Sequence, residues 1–401
     1  MVGGAGTGLT RRGRKLLYGG CGVAVALATV ATAVVLAGEP GSDEADCWGA
    51  WGAVESPWSG GDVAVSESPP TPEHPEGRCE VAVTMTENEG DEPWRHVLEV
   101  SYGTLPDGRE ELGTWAREHL RGDAAPLPDG LPGGVSAEHG LLVLPERCDT
   151  EGAPTVVTMT TRYSEERTDR GDEAAHGSRP ANGPSHMAGL LVEVARRGMA
   201  GAGCAAGEDD PDAGPLDAST DIAPVGGRPT EREGARHLCG HPDLPEEGRP
   251  TESLNSARGY FHAWTSAVGA GDDTAVCTVA RRLHGFDARA GDRLAFGPPT
   301  SATVLLSTAQ PDTARLLEDL ADRLGARPVD DWEGPEGLNG ATVVHGGSLA
   351  LAALDCARGD EAEPARTLFA AYERDDAPRL LADYTRATAP HRGCGEVTPD
   401  A

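Results

Sequence analysis

The chain has 401 residues and a formal net charge of −31, from 34 basic and 65 acidic side chains. A surface this acidic repels phosphate backbones, so we expect no nucleic-acid partner. Lys15 is the one lysine, which excludes a P-loop, Schiff-base chemistry and lysine-dependent acyl enzymes from everything that follows it.

The first predicted element is a membrane helix over residues 16–37, which contain no charged side chain. At about 1.5 Å of rise per residue it would be about 33 Å long, which matches a hydrocarbon core of about 30 Å. Basic residues lie in the tail 1–15, so we expect the N-terminus in the cytoplasm and the rest outside. This predicts a single-pass signal-anchor in the cell membrane with an extracellular ectodomain. The alternative is secretion after cleavage near Ala37, although signal-peptide apolar regions usually span only ~7–15 residues.

Two further features belong to this end of the chain. Gly20, Ala24 and Ala28 are spaced by four, a small-residue pattern that permits a weak homodimer through the membrane helix. A tryptophan cluster then follows the helix. It is interpreted as packing around Cys47, with an anchor at the lipid interface or a contact surface as the alternatives. Its members are Trp48, Trp51 and Trp58.

Residues 38–206 are predicted to form a first ectodomain copy of α+β class. Apolar and polar residues alternate over 79–88 and 94–103, as in a β-hairpin. Apolar residues at helical spacing over 109–120 predict a helix. A second strand-like segment over 154–163 and a second helical segment over 186–204 follow.

An acidic segment rich in Gly and Pro, 207–235, is predicted to be a flexible linker. Directly after it lies His237-Leu238-Cys239-Gly240-His241, whose two imidazoles and thiolate are typical zinc ligands. We favour a disulfide at Cys239 with incidental histidines, and therefore predict no metal site and no cofactor.

Residues 236–401 are predicted to form a second ectodomain copy. Strand-like segments lie at 274–282 and 301–309, and the clearest amphipathic helix of the chain follows, with Asp312 as its expected N-cap. The segment from His345 to Ser348 resembles the oxyanion strand of some esterases. The nucleophile elbow G-x-S-x-G that such enzymes need is missing from the sequence, so a structural turn is the better interpretation.

Eight cysteines lie beyond the membrane helix, and no two of them form a C-x-x-C pair. An even number in an oxidising compartment predicts disulfides and gives no support to redox catalysis. The predicted bridge residues are Cys47, Cys79, Cys148, Cys204, Cys239, Cys277, Cys356 and Cys394.

The cysteines also indicate an internal duplication. Their separations are 32, 69 and 56 residues in the first set of four and 38, 79 and 38 in the second. In both sets an apolar run ends in a cysteine, and a strand, a helix and the next cysteine follow. If the copies fold alike, each contains its own bridges. This predicts four pairs: Cys148–Cys204, Cys356–Cys394, and by elimination Cys47–Cys79 and Cys239–Cys277.

The anchor, the composition rich in Arg, Ala and Gly, and the paired-cysteine layout resemble uncharacterised membrane-anchored envelope proteins of high-G+C Gram-positive bacteria, as in actinomycetes. This resemblance carries no catalytic motif, so it assigns no residue a role.

The leading hypothesis for function is a non-enzymatic module that binds a protein or envelope ligand outside the cell through two related, disulfide-braced domains. No catalytic residue, cofactor site or metal ligand is singled out. The rival hypothesis is an extracytoplasmic hydrolase whose site is assembled between the two halves.

Overall fold

The structure is a computed structural model. It describes residues 47–53, 62–85, 94–120, 124–136, 138–165, 183–207, 216, 260–270, 274–286, 293–295, 301–329, 342–346, 349–356, 365–372, 377–392 and 394. Contacts divide the chain into two compact units, Met1–Glu44 and Ala45–Ala401, and all of the described residues belong to the second unit. Within them, no helix is long and apolar enough to cross a membrane. The predicted anchor at 16–37 lies outside them and stays a prediction.

The first half of the described chain builds one antiparallel sheet of seven strands in the order β1-β2-β3-β7-β6-β5-β4. Its strands are β1 (Asp62–Ser68), β2 (Gly77–Met85), β3 (Trp94–Thr104), β4 (Ala125–Pro126), β5 (Gly133–Val135), β6 (His139–Val143) and β7 (Thr155–Glu165). Its helices are α1 (Ala50–Ala53), α2 (Arg109–His119) and α3 (Pro184–Ala202).

The second half builds an eight-stranded antiparallel sheet in the order β10-β9-β11-β15-β14-β13-β12, with β8 also paired to β9. Its strands are β8 (Tyr260–Ala270), β9 (Thr274–Phe286), β10 (Arg293–Ala295), β11 (Ser301–Thr308), β12 (Arg327–Pro328), β13 (Thr342–Gly346), β14 (Leu349–Cys356) and β15 (Ala365–Tyr372). Its helices are α4 (Pro311–Arg323) and α5 (Ala377–Thr388). The predicted α+β class is therefore confirmed. Apart from the added strand β10, the second sheet follows the strand order of the first.

Alternation along the strands sets what each face of a sheet contacts. In β3, Leu98, Val100 and Tyr102 are buried in a core that also contains the inner side of α3. The residues between them face the opposite way, because successive side chains in a strand point to opposite faces. The second sheet repeats this arrangement, since Phe369 and Ala371 of β15 pack against α5.

A third core joins the two halves. It contains Leu112 of α2 and Leu316 and Leu320 of α4, together with Val143 from the first sheet and Leu351 from the second. The helices α2 and α4 thus share one apolar layer with the inner faces of both sheets. The two copies were predicted as separate domains joined by the linker 207–235, nearly all of which lies outside the described residues. The described parts of the copies share a core.

Three arginines add polar contacts to this junction. Arg109 on α2 donates to the carbonyl of Leu324, and Arg323 on α4 donates to the carbonyl of Leu105 at 3.2 Å. Arg315 on α4 forms an ion pair with Asp149 of the first half, with the two side chains only 25% and 10% exposed. The halves are therefore held together by directional bonds as well as by apolar burial.

Three disulfides brace the described residues: Cys47–Cys79, Cys148–Cys204 and Cys356–Cys394. These are three of the four pairs that the sequence predicts. The fourth predicted pair includes Cys239, which lies outside the described residues. Bridges join the strand β2 to the segment before α1, the segment after α3 to the 3-10 turn that follows β6, and Cys394, which lies beyond α5, to the end of β14.

Local predictions are confirmed at some positions and wrong at others. Trp48 and Trp51 pack on the first core, and the Trp48 ring meets Tyr102 edge-on at 6.3 Å, whereas Trp58 lies outside the described residues. The N-cap of α4 is Gln310, not Asp312: the Gln310 side chain accepts a hydrogen bond from the Asp312 amide, and Pro311 occupies the first turn. Pro311 has a fixed φ and no amide hydrogen, so it suits the first helical position and the cap lies two residues earlier than predicted.

The helix α3 offers a matched test of its packing. A Cβ atom at Gly198 would meet the ring of Tyr102, whereas one at Gly189 would meet nothing within 4 Å. We expect Gly198→Ala to lower the free energy of unfolding by about 1–2 kcal/mol, because overpacking outweighs the better helix propensity of alanine. Gly189→Ala should raise it by up to about 1 kcal/mol. Urea denaturation of both variants checks this, and equal effects would show that α3 does not pack on Tyr102.

Candidate ligand-binding cleft

A cavity lined by polar groups lies between α2 and the inner face of the first sheet. It has a volume of about 400 Å³, and we call it the β3–β7 cleft after the two strands that form its floor. The lining residues are Glu76, Gly77, Arg78, Glu99, Ser101, Tyr102, Gly103, Thr104, Leu105, Pro106, Asp107, Trp115, Glu118, His119, Val156, Thr158, Thr160 and Arg162. This volume lies within the range of about 300–1,000 Å³ that is typical of small-molecule sites.

Strand register builds the floor of the cleft. Glu99 of β3 lies opposite Thr160 of β7, and Ser101 lies opposite Thr158. Their chain neighbours Val100 and Met159 face the other way and belong to the first core. Thr158 and Thr160 are each only 6% exposed, so their hydroxyl groups lie deep in the cleft.

A charged network crosses the floor and reaches the helix. Arg162 of β7 contacts Glu99 of β3 at 3.2 Å and Glu118 of α2 at 3.5 Å. The three side chains are 60%, 41% and 33% exposed, so solvent reaches this network and it adds little to folding stability. The cleft thus presents both signs of charge at one place, on groups that a bound molecule can contact.

The helix α2 supplies an aromatic wall. Trp115 and His119 lie one turn apart on it, and their rings are 5.1 Å apart. The His119 ring in turn meets the ring of His139 on β6 edge-on at 6.5 Å. Helical spacing explains the contact between Trp115 and His119, because residues i and i+4 share one face of a helix. The cleft therefore has a polar floor and a flat, partly apolar side.

Hydrogen-bond register identifies the equivalent positions of the second sheet. Cys79 of β2 lies opposite Val100 of β3, and Cys277 of β9 lies opposite Leu305 of β11. Val100 and Leu305 are therefore equivalent. One strand further, Val100 lies opposite Met159 and Leu305 lies opposite Ala371. The difference in residue number between Val100 and Leu305 stays the same from these strands to the helices that follow them. Pro106-Asp107, just before α2, therefore matches Pro311-Asp312 at the start of α4.

At these equivalent positions the two halves differ in polarity. Four floor residues of the cleft and its two ring residues on α2 have an apolar or aromatic counterpart, whereas Arg162 and Glu118 match Arg374 and Arg323. The pairs with an apolar or aromatic counterpart are Glu99 with Val304, Ser101 with Leu306, Thr158 with Ala370, Thr160 with Tyr372, Trp115 with Leu320, and His119 with Leu324. These apolar and aromatic second-half residues all belong to, or pack against, the core between the halves.

The space between the halves is different in character. A cavity of about 60 Å³ lies there, lined chiefly by aliphatic side chains such as Leu141, Val304 and Leu317. Of the described residues that line it, none is a serine, a cysteine or a carboxylate. The rival hypothesis of a hydrolytic site between the two halves stays a prediction.

The residues singled out from the sequence lie elsewhere. The three described disulfides are outside the cleft lining, and the histidines at 237 and 241 lie outside the described residues. His345 stands in β13, just before the β13–β14 turn, and His139 begins β6 just after the turn from β5. Within the described ranges, no group of three or more His, Cys, Asp or Glu side chains is placed to hold a metal ion.

Sequence reasoning missed the cleft residues. Glu99, Thr160 and Glu118 are far apart along the chain, and each alone is typical of a solvated face. The available signal was a comparison of the two copies position by position, which shows polar residues in one copy where the other is apolar.

Comparison with protein-family models, with curated proteins and with solved structures finds no match to this chain.

Proposed function

We propose that this chain is a membrane-tethered, non-enzymatic module outside the cytoplasm that binds a small polar ligand in the β3–β7 cleft. Its tether would be the predicted helix over 16–37, with the basic tail 1–15 in the cytoplasm. Disulfides support this placement, because they form and persist in oxidising compartments. Cleavage near Ala37 would release the same module as a secreted protein. A homodimer through the helix stays a prediction.

One observation carries the proposal: the cleft is polar where the equivalent part of the second half is apolar. Val304, Ala370 and Tyr372 are at most 7% exposed and fill this place in the second half. The same fold therefore accepts apolar side chains at the positions of the cleft floor, and burial of such side chains would stabilise it. The first half has polar groups where an apolar core is possible. We attribute these polar groups to ligand binding and not to folding stability.

The two halves are best explained as a diverged duplication. They share a strand order, the placement of a bridge after the last helix, and a Pro-Asp pair that begins α4 and lies just before α2. In this account the second half became a packing partner for the first. Only the first half then carries a ligand site.

The test uses a cleft variant that copies the second half. Ser101→Leu with Thr158→Ala introduces the side chains found at Leu306 and Ala370, which removes two hydroxyls and places an apolar side chain in the cleft. Soluble fragments of digested bacterial cell wall, and a defined set of sugars, amines and phosphates, are passed over the immobilised full-length chain. Bound molecules are then identified by mass spectrometry.

We expect the wild-type chain to retain one chemical class that the cleft variant loses. Arg386→Ala is the matched control, since Arg386 is exposed on α5 and forms an ion pair with Asp383 on the same helix. It should retain the same molecules as wild type. Equal retention by the cleft variant and wild type would place any binding outside the cleft and overturn the proposal.

A further inference from the structure

We infer that the ligand of the β3–β7 cleft is an uncharged, hydroxyl-rich molecule of one or two rings, that is, a small saccharide. This inference rests on the proposed binding function and adds the chemical class of the ligand. It is carried by the charges, the hydroxyls and the aromatic wall of the cleft.

The network of Arg162, Glu99 and Glu118 in the cleft disfavours ions of either sign. Arg162 lies between Glu99 and Glu118, at 3.2 and 3.5 Å from their carboxylate oxygens. A bound anion would lie beside two carboxylates, and a bound cation would lie beside the guanidinium. Like charges placed together at a binding site cost free energy, so a neutral ligand fits this network better than an ion.

The polar groups suit hydroxyls. Thr158 and Thr160 on the floor, with Ser101 at the rim, can each donate and accept a hydrogen bond, as the hydroxyls of a sugar do. Arg162 supplies only donors, and the two glutamates supply only acceptors. Hydrogen bonds from a charged group to a neutral hydroxyl are stronger than those between neutral groups. A molecule with several hydroxyls on adjacent carbons can use all of these groups together.

The aromatic wall suits the other face of a sugar ring. Trp115 is half-buried, and its ring stands against His119 at the side of the cleft. The equivalent residue of the second half is Leu320, which is fully buried in the core. A large aromatic ring offers a flat apolar surface together with a polar edge. The C–H face of a pyranose can lie on such a surface while its hydroxyls reach the floor.

The experiment is calorimetric titration of the full-length chain in detergent with five probes: glucose, N-acetylglucosamine, N,N′-diacetylchitobiose, putrescine and inorganic phosphate. We expect at least one of the three sugars to bind. Its affinity should change by less than about twofold when salt is raised, because a neutral ligand forms no screened ion pair. Putrescine and phosphate should not bind in the cleft.

Variants separate recognition from folding. Arg162→Met and Trp115→Ala should each weaken sugar binding by tenfold or more, and Arg162→Lys should restore only part of it, since lysine lacks the planar fork. Arg386→Ala should leave the affinity unchanged, and circular dichroism of each variant confirms folding.

The outcomes are distinct. One outcome is that putrescine or phosphate binds, that no sugar binds, and that the variant Ser101→Leu with Thr158→Ala abolishes the binding. This outcome would overturn the saccharide inference and keep the proposed cleft. Sugar binding that survives the cleft variant would overturn both. Failure of all five probes to bind wild type would overturn the saccharide inference, while the retention assay on wall fragments still decides the cleft.

Discussion

Replacing Cys148 and Cys204 together by alanine is expected to lower the free energy of unfolding by about 4 kcal/mol. Their bridge closes a loop of 56 residues and ties the segment after α3 to the end of the 3-10 turn that follows β6. In the chain-entropy model, the unfolded variant has the conformational freedom of this loop that the bridge removes from the unfolded wild-type chain. A loss of this size is a large share of the ~5–15 kcal/mol that stabilises an ordinary domain.

Guanidinium denaturation of the purified chain measures this effect. Removal of the Cys356–Cys394 bridge, which closes a loop of 38 residues, is the comparison, and the model gives it a loss within a few tenths of a kcal/mol of the first. A loss below about 1 kcal/mol for Cys148 and Cys204 would contradict the account. It would mean that the α3 core holds this segment without the bridge.

The second large effect is expected at the junction of the halves. Arg315→Ala removes the partner of Asp149, a carboxylate only 10% exposed, and also the hydrogen bond from Arg315 to the carbonyl of Leu144 at 2.9 Å. We expect the free energy of unfolding at neutral pH to fall by about 3 kcal/mol, since an unpaired charge is left in a poorly solvated place. Arg366→Ala is the matched control: its pair with Glu318 is exposed, so its loss should be under about 1 kcal/mol.

This loss should depend on pH in a definite direction. Burial raises the pKa of Asp149 above its ordinary 3.8, and the hydrogen bond and charge of Arg315 limit that rise. The folded chain therefore holds this proton to a higher pH than the unfolded chain, so Asp149 makes folding less favourable as pH rises through that window. Without Arg315 the pKa rises further, and the penalty at neutral pH grows.

The difference in stability between wild type and Arg315→Ala should accordingly be largest near neutral pH and shrink as the pH falls toward 4. Denaturation curves at several pH values check this, and the difference between the two chains cancels the titration of the carboxylates that Arg315 does not contact; of those it does contact, Asp312 is the more exposed. A difference that stays constant with pH would show that the lost packing of the arginine stem, and not the unpaired Asp149, causes the effect. Asp149→Leu combined with Arg315→Met should recover most of the stability, as an apolar replacement of similar volume.

Much of the local structure follows from sequence patterns. The alternation in β2 and β3 predicts a hairpin whose Val81, Val83 and Leu98 are buried, and the helical spacing of Leu316 and Leu320 predicts α4. Three disulfide pairs follow from the cysteine repeat. These features depend on residues near one another in the chain or on a repeated layout, so a sequence contains them directly.

The association of the halves and the cleft do not follow in the same way. The apolar face of α4 predicts burial, but it does not say that Leu112 of α2 and Val143 of β6 lie opposite it. The cleft depends on strand pairing between β3 and β7, whose partners Glu99 and Thr160 are brought together by register. Register is set by the whole sheet, and no local pattern around either residue specifies it.

The central claim is that the polar floor of the β3–β7 cleft serves a ligand and not the fold, and one measurement tests it without any knowledge of the ligand. It is the free energy of unfolding of the variant Ser101→Leu with Thr158→Ala, obtained by urea denaturation beside wild type. We expect a value within about 1 kcal/mol of wild type or above it, since the second half already accommodates these side chains at Leu306 and Ala370. A loss of more than about 2 kcal/mol would show that the two hydroxyls hold the sheet together, and would contradict the claim.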